Sequence, residues 1–443
     1  DWKVTATEKY AAGACGLMLG GTADAVKING IQSIQAGNYT GGFAGRTGAS
    51  SLASAGGLDV LGLVKLNNVL SLADGIQVTI RNCETVGADG GLTVLSDGTA
   101  ALTDGEDFTA GGFIGESVAS VVETSRVKNV KSVVAKHSDK KSSYAGGFVG
   151  RSHTGGLAGL AQEDEDGKLK LPGILEVDSL LSLVPYLLPK YTNTTVTFLS
   201  NGEKPQVEGT LAGGFAGEMQ SGKVDNSTST EAYVVFGLEN IKGESHAGGF
   251  AGKVDAGATA SSDGLNLLDG ILNLDIGQLV NVLQVYIPII QSAGVKSAEQ
   301  GFTVEATDTD SYAGGYLGYG GGVQIKDSDV TSLKHTKVTP PGDSLESSNG
   351  ESYFGEDSKY AVKGGKFAGG YAGCVDIDSA AAVGGGLKLL GDIQLTNLLE
   401  ALNVVASTIE NSDVNGCVGG YSVLAGRSDD KNNNLGKAGG FIG

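Results

Sequence analysis

A six-residue motif constrains the fold of this chain more than any other feature: a small residue, two glycines, an aromatic residue, a variable residue and a glycine. Eight full copies begin at Thr40, Ala110, Ala145, Ala212, Ala247, Ala313, Ala368 and Ala438, and residues 12–16 look like a worn copy. The first glycines of the first six copies are separated by 70, 35, 67, 35 and 66 residues. This alternation of long and short modules predicts a repeat protein whose neighbouring modules stack on one another.

The short modules have the pattern of β-strands. Between Val121 and Val134, valines alternate with Ser, Lys and Asn, the two-residue period of a half-buried strand. The glycine pairs are expected to supply positive φ at tight corners and to let adjacent layers approach closely.

The long modules contain leucine-rich segments at 58–72, 174–188, 265–290 and 387–406. Their apolar residues lie three and four apart, a spacing that predicts helices, which would pad the stack or form a lateral interface. The predicted fold class is therefore mainly β: an elongated β-solenoid of stacked repeats with leucine-rich α-helical insertions on alternate rungs. Residues 1–443 would form one continuous solenoid, with modules at about 1–40, 41–145, 146–247, 248–368 and 369–443, the last of them continuing further.

The aromatic residues of the motif are predicted to point inward and to stack at the strand spacing of roughly 4.7–4.9 Å. The members of this aromatic ladder are Phe43, Phe113, Phe148, Phe215, Phe250, Tyr316 and Tyr371. The change from Phe to Tyr suggests a wetter environment toward the C-terminal end.

The residue after each motif predicts a second column. It is successively Arg46, Glu116, Arg151, Glu218 and Lys253, so that stacking in register would alternate the sign of the charge. Opposite charges on neighbouring strands favour one register, although exposed pairs contribute only about 0.2–1 kcal/mol each. Five unrelated surface charges would be the simpler explanation.

The four cysteines are compatible with two disulfides in an oxidising compartment or with free buried thiols. Cys374 and Cys417 occupy successive glycine repeats and are the best candidates for a disulfide.

Composition and motifs argue against several classes of function. The net charge of −19 disfavours nucleic-acid binding, and no apolar run reaches the roughly 20 residues of a membrane span. Histidines lie beside no nucleophile and known catalytic motifs are missing, so no catalytic residue and no cofactor are predicted. The candidate calcium ligands are Asp308, Asp310, Asp327 and Asp329.

The AGGFxG copies, followed by short strands rich in Ser and Asn, resemble the GLUG-like glycine-rich repeats of large bacterial cell-surface and adhesin proteins. This resemblance implies a right-handed β-solenoid in an exported, surface-attached protein, and it brings no catalytic residues. We therefore predict a non-enzymatic, extracellular structural protein, part of a surface fibre, stalk or filament, that associates with itself or with neighbouring surface proteins. The alternative is an adhesin whose exposed loops bind glycans or proteins of a host or neighbouring cell.

Overall fold

The computed structural model describes fourteen stretches of the chain, and every structural statement below concerns these residues. They are residues 1–48, 77–98, 107–137, 142–154, 162–163, 169–170, 188–201, 205–256, 287–298, 300–334, 360–376, 406–416, 420–426 and 436–443.

The described residues form three large parallel sheets, which the chain visits repeatedly in the same order. One circuit starts in a sheet of eight strands (the third sheet), makes three passes through a sheet of 22 strands (the large sheet), and ends in another sheet of eight strands (the second sheet). Strands of successive circuits pair in parallel, which explains why the sequence repeat and the structural repeat coincide.

The strand bounds follow this order of passes. The third sheet contains Gly21–Asp24, Val78–Arg81, Val121–Glu123, Lys190–Thr192, Lys223–Asp225, Ile289–Gln291, Gln324–Lys326 and Thr408–Glu410. The first pass through the large sheet contains Lys27–Ala36, Glu84–Gly87, Arg126–Lys136, Thr195–Phe198, Tyr233–Leu238, Gly294–Ser297, Val330–Leu333 and Val414–Gly416. Two of these strands, Lys27–Ala36 and Arg126–Lys136, continue into the second pass.

The second pass adds Trp2–Thr5, Leu92–Asp97, Val207–Gly213, Asn240–Gly248, Thr303–Ala306, Val362–Gly364 and Val423–Ala425. Val207–Gly213 and Asn240–Gly248 extend into the third pass, which also contains Tyr10–Ala12, Tyr39–Gly41, Phe108–Gly111, Ser143–Gly146, Tyr312–Gly314, Phe367–Gly369 and Lys437–Gly439. The second sheet contains Cys15–Met18, Ala44–Thr47, Ile114–Val118, Val149–His153, Ala216–Gln220, Ala251–Asp255, Leu317–Gly321 and Ala372–Asp376. A small antiparallel pair, Gln162–Glu163 with Leu169–Lys170, completes the strands.

Apolar columns fill the interior between the sheets. In the second pass, Ile34 pairs with Val94, Val94 with Val133 and Val133 with Val207, and all four side chains are fully buried. The worn copy of the motif takes the place of a full one, because Tyr10–Ala12 pairs with Tyr39–Gly41 and Cys15–Met18 with Ala44–Thr47. Each circuit therefore buries its apolar residues against the equivalent residues of the next circuit.

The three glycines of the motif are required for three different close approaches. A Cβ on the first glycine, as at Gly111, would lie 1.7 Å from the carbonyl oxygen of Ile114 within the same corner. A Cβ on the second glycine, Gly112, would lie 1.9 Å from the carbonyl oxygen of Gly147 in the next circuit. A Cβ on the third glycine, Gly115, would lie 2.4 Å from the carbonyl oxygen of Gly45 in the preceding circuit. All three positions exclude any side chain, because backbone already fills the space.

Positive φ is not the reason for these glycines, so this part of the sequence-based expectation is wrong. None of the motif glycines in the described copies has a positive φ. Positive φ occurs instead at corners between the third sheet and the large sheet, where Asn82 and Asn193 have φ of 55° and 51°. Asparagine tolerates the left-handed region better than most residues, and these corners leave room for its side chain.

The predicted fold class is wrong in the form given above: where the chain is described it forms no helix, and its strands lie in several large parallel sheets. The mainly-β part of the prediction agrees with the structure. Most of the four leucine-rich segments lie outside the described residues. At the end of segment 265–290, however, the chain forms the strand Ile289–Gln291. The apolar spacing of one sequence window cannot distinguish a helix from a short buried strand, because either element can present a run of apolar residues.

The second-glycine position provides a matched test of this packing. We expect Gly112→Ala to destabilise the protein by about 1–3 kcal/mol or more, because the new methyl group meets the Gly147 carbonyl. Gly440→Ala changes the same motif position in the last copy, where a Cβ would meet nothing within 4 Å. Denaturant midpoints followed by circular dichroism should fall for Gly112→Ala and stay unchanged for Gly440→Ala. Equal midpoints would refute the role assigned to the contact between circuits.

Candidate functional site: ring and charge columns

The seven aromatic residues of the motif lie in one stack, here named the ring column. Successive ring centroids from Phe43 to Tyr371 are 4.8–5.1 Å apart, with interplanar angles of 2–20°. The column continues to Phe441, whose centroid is 4.8 Å from that of Tyr371. The backbone fixes this spacing, because the amide of Phe43 donates to the carbonyl oxygen of Phe113 at 2.7 Å and later copies repeat the bond. Stacked pairs contribute about 0.5–1.5 kcal/mol each beyond their burial.

The tyrosines of the ring column do not mark a wetter end, which corrects the expectation from sequence. Tyr316 and Tyr371 are fully buried. Their hydroxyls donate to the carbonyl oxygens of Ala293 and Ser328, each at 2.8 Å. A buried hydroxyl with a backbone acceptor costs little, so Tyr replaces Phe without disturbing the stack.

The five charged residues that follow the motif also lie in one column, here named the charge column. The parallel register places Glu116 between Arg46 and Arg151, and Glu218 between Arg151 and Lys253. Arg46 Nε lies 2.5 Å from Glu116 Oε2, Arg151 Nε 2.9 Å from Glu218 Oε2, and Lys253 Nζ 3.5 Å from Glu218 Oε1. Each inner carboxylate is therefore held between two cations.

Residues outside the predicted set complete this network. His153 Nε2 lies 3.1 Å from Glu116 Oε1, Arg151 also contacts Asp107, and Lys253 Nζ lies 2.6 Å from Asp255 Oδ2. The guanidinium of Arg151 also lies over the ring of Tyr144, 4.6 Å from its centroid, where a cation–π contact is favourable. Sequence spacing alone missed Asp107, because 44 residues separate it from Arg151 and only stacking brings the two together.

Burial distinguishes this network from ordinary surface ion pairs. The side chain of Glu116 is 3% exposed. Burial alone would raise its pKa, but the hydrogen bond from His153 and the charges of His153, Arg46 and Arg151 outweigh that effect and lower the pKa. Ionised Glu116 is thus more favourable in the folded protein than in the unfolded chain.

A second column of alternating charge follows the second pass of the large sheet. Glu208 pairs in register with Lys242, Lys242 with Glu305, and Glu305 with Lys363. Lys242 Nζ lies 3.9 Å from Glu208 Oε1, and Lys363 Nζ 3.2 Å from Glu305 Oε1. Aligning the modules on their glycines would not reveal this column directly, because insertions of different length separate these strands from the motif.

A shorter stack of rings lies beside the C-terminal part of the charge column. The ring of His246 stacks on Tyr312 at 4.9 Å, and Tyr312 stacks on Phe367 at 5.2 Å. Burial and the nearby positive charge of Lys253 lower the pKa of His246 to about 4, while Glu218 acts in the opposite direction. His246 is therefore a neutral member of a stack at neutral pH.

The remaining candidate residues do not come together as one site. Asp308 and Asp310 lie at the turn between Thr303–Ala306 and Tyr312–Gly314, whereas Asp327 and Asp329 lie after Gln324–Lys326. Among the described residues, no three His, Cys, Asp or Glu side chains form a group that could hold a metal ion. Cys374 pairs in register with Tyr319, and Cys417 lies outside the described residues, so the proposed disulfide stays a prediction.

The contacts in these columns support one role: they fix the register between neighbouring circuits. Rings define the spacing between circuits, and alternating charges penalise a shift of one circuit because like charges would then face each other. No helix in the described part of the chain has the length and hydropathy needed to cross a membrane.

The buried ion network predicts a large and pH-dependent effect for Glu116→Gln. We expect a loss of about 3 kcal/mol at neutral pH, because Arg46 and Arg151 would keep their charges without the carboxylate. Since the pKa of Glu116 is lowered on folding, its contribution is present above the unfolded pKa and disappears as the pH falls through the folded value. The exposed pair offers a control: Glu208→Gln should cost less than about 1 kcal/mol. Chemical denaturation of both variants at neutral and acidic pH measures the difference, and similar losses at neutral pH would contradict this account.

His246 predicts a second pH dependence. Because its pKa falls from 6.5 to about 4 on folding, the unfolded chain binds the proton more readily, and stability should drop as the pH falls from about 6.5 to about 4. The drop amounts to about 3 kcal/mol. His246→Phe keeps a ring in the stack and removes the titration, so it should flatten this part of the stability profile. An unchanged profile in His246→Phe would assign the acid sensitivity to other groups.

Comparisons of the chain with protein-family models, with curated proteins and with solved structures find no match to any of them.

Proposed function

We propose that this chain is a non-enzymatic structural protein, a rigid segment of an extracellular surface fibre, stalk or filament. The observation that carries the proposal is the continuity of the ring column, which passes from Phe43 to Phe441 through every copy of the motif. A protein that serves as a spacer needs the same strong contact at each step, and here the contact is repeated with nearly constant geometry.

Three interactions act together at the inner steps between circuits. Parallel strands provide backbone hydrogen bonds, buried rings and valines provide apolar contact, and charge columns provide register. Burial of one aromatic or branched side chain contributes about 1.5–3 kcal/mol. Since neighbouring circuits share many such side chains, separation of two circuits breaks many contacts at once.

The proposed location outside the cell rests on surface chemistry and on the resemblance of the AGGFxG repeats to those of bacterial surface proteins. The net charge of −19 keeps long stacked molecules apart in solution. Alternation of acidic and basic residues at strand positions such as Glu208 and Lys242 also discourages pairing out of register.

Single-molecule force spectroscopy tests the proposal. Pulled from its two ends, a structural stack should release its circuits one after another. A circuit of 35 residues corresponds to a step of about 12 nm at up to roughly 3.6 Å per residue. Gly112→Ala weakens one junction and should lower the force of one step, whereas Gly90→Ala, where a Cβ meets nothing within 4 Å, should lower none.

Release of the whole chain in one weak step would overturn a structural role. If the same chain bound a glycan or a cell-surface protein saturably, the adhesin would become the better explanation. Glycan-array binding with the purified chain supplies that second measurement.

A further inference from the structure

The first pass through the large sheet carries a charge opposite to that of the chain as a whole. Although the chain has a net charge of −19, the eight strands of this pass contain a single carboxylate, that of Glu84. The strands of the third sheet contain four Lys or Arg side chains and four carboxylates, and those of the second sheet contain three and four. The first-pass strands contain six, and their outward side is here named the cationic face: Lys27, Arg126, Lys128, Lys131, Lys136 and Lys296.

The cations in the middle of this face are exposed. The side chains of Arg126 and Lys128 are 51% and 42% exposed, and Lys131 and Lys296 are exposed as well. Arg126 Nε and Lys128 Nζ lie 2.9 and 2.8 Å from the same Oε1 of Glu84, whose side chain is only 12% exposed. Because one carboxylate neutralises one of the two cations, an excess of positive charge remains on the surface at this point.

A neutral strip joins these cations to Lys296. Arg126 pairs in register with Thr195, Thr197 pairs with Phe236, and Phe236 pairs with Lys296. Thr195, Thr197 and Phe236 are half-buried, so that two hydroxyls and one ring face outward between the cations. Three steps between paired strands separate the strand of Arg126 from that of Lys296, a distance of about 14 Å.

Tyr233 fixes the far end of this strip. Its ring makes an edge contact with the ring of Phe236, with centroids 6.1 Å apart, and Lys296 Nζ lies 5.7 Å from its centroid. Its hydroxyl lies 3.1 Å from Thr331 Oγ1. These contacts hold the two rings and the ammonium group in place, which lowers the entropy that binding of a partner would cost.

The three kinds of group on this face are complementary to the three kinds of group on an acidic sugar chain. Arg and Lys bind carboxylates and sulfates through charge-assisted hydrogen bonds. Threonine hydroxyls exchange neutral hydrogen bonds with sugar hydroxyls, and half-buried rings cover apolar C–H surface. A flat face repeated from strand to strand fits an extended polymer. An acidic peptide would use the cations and leave the hydroxyls and rings without a role.

We propose that the cationic face binds an acidic polysaccharide, whose chain crosses the first-pass strands from Arg126 and Lys128 to Lys296. Its acidic groups lie on the cations, and its sugar rings lie on the strip formed by Thr195, Thr197 and Phe236. The inference goes beyond the structural function, because it gives the stack a lateral partner. A chain that binds in this way and still releases its circuits stepwise under force is a structural segment held in a polysaccharide matrix.

Titration calorimetry of the full 443-residue chain tests the proposal with four polymers. Polygalacturonate and dextran sulfate are the acidic polysaccharides, dextran is the neutral one, and polyglutamate is an acidic polymer without sugars. We expect the two acidic polysaccharides to bind, with an affinity that falls as salt screens the charges. Dextran should not bind, and polyglutamate should bind more weakly than either acidic polysaccharide.

Variants locate the binding on the sheet face. Arg126→Gln combined with Lys296→Gln should weaken binding of the acidic polysaccharides by about tenfold for each lost contact. The matched control, Lys190→Gln combined with Lys326→Gln, removes the same charge from the third sheet and should bind like wild type. Phe236→Ala should weaken binding of the polysaccharides and leave that of polyglutamate unchanged.

Circular dichroism should report the same strand content for every variant, and Lys296→Gln alone replaces the double variant if the latter unfolds. Equal losses in the two double variants would overturn the proposal, since they indicate attraction to charge anywhere on the chain. Tighter binding of polyglutamate would overturn it in favour of an acidic protein partner, and so would failure of both acidic polysaccharides to bind overturn the site itself. In each of these cases, stepwise release of circuits under force leaves the structural function intact.

Discussion

The structure depends on the close approach of backbone to backbone at the glycines of the motif. With Gly112 facing the carbonyl of Gly147 and Gly115 facing that of Gly45, circuits are in contact through the main chain itself. No side chain fits between them, so the spacing is set by the peptide geometry of parallel strands. Every other column inherits this spacing, including the rings and the charges.

Constant spacing turns single residues into continuous columns. The aromatic residue of each motif stacks within 4.8–5.1 Å of the next, close to the separation of paired strands, so the rings need no adjustment of their own. The charged residue three positions later comes under the same constraint. Its sign alternates along the column, with Glu116 and Glu218 each between two cations. A shift by one circuit would therefore bring like charges together.

Buried charge adds specificity to a fold whose apolar contacts are nearly interchangeable. Valine and isoleucine columns would pack almost equally well if one circuit paired with the wrong neighbour. Glu116 would not, because its carboxylate is nearly enclosed and needs Arg46 and His153 on either side. The stability of this network at neutral pH and its loss in acid follow from the lowered pKa of Glu116.

The sequence by itself determined the repeat, its alternating module lengths, the mainly-β class and the residues that form the two columns, because strict spacing of Gly, Phe and charged residues reports stacking directly. It misassigned the role of the motif glycines, since positive φ and close approach select the same residue and only the backbone geometry separates them. It also predicted helices from leucine spacing, whereas the described end of segment 265–290 belongs to the strand Ile289–Gln291. Tertiary structure alone decided the sheet arrangement, the partners Asp107 and His153, the hydroxyl acceptors of Tyr316 and Tyr371, and the second charge column. Each of these depends on which residues from different circuits meet. Because insertions of different length separate the strands, no constant spacing in the sequence identifies those pairs.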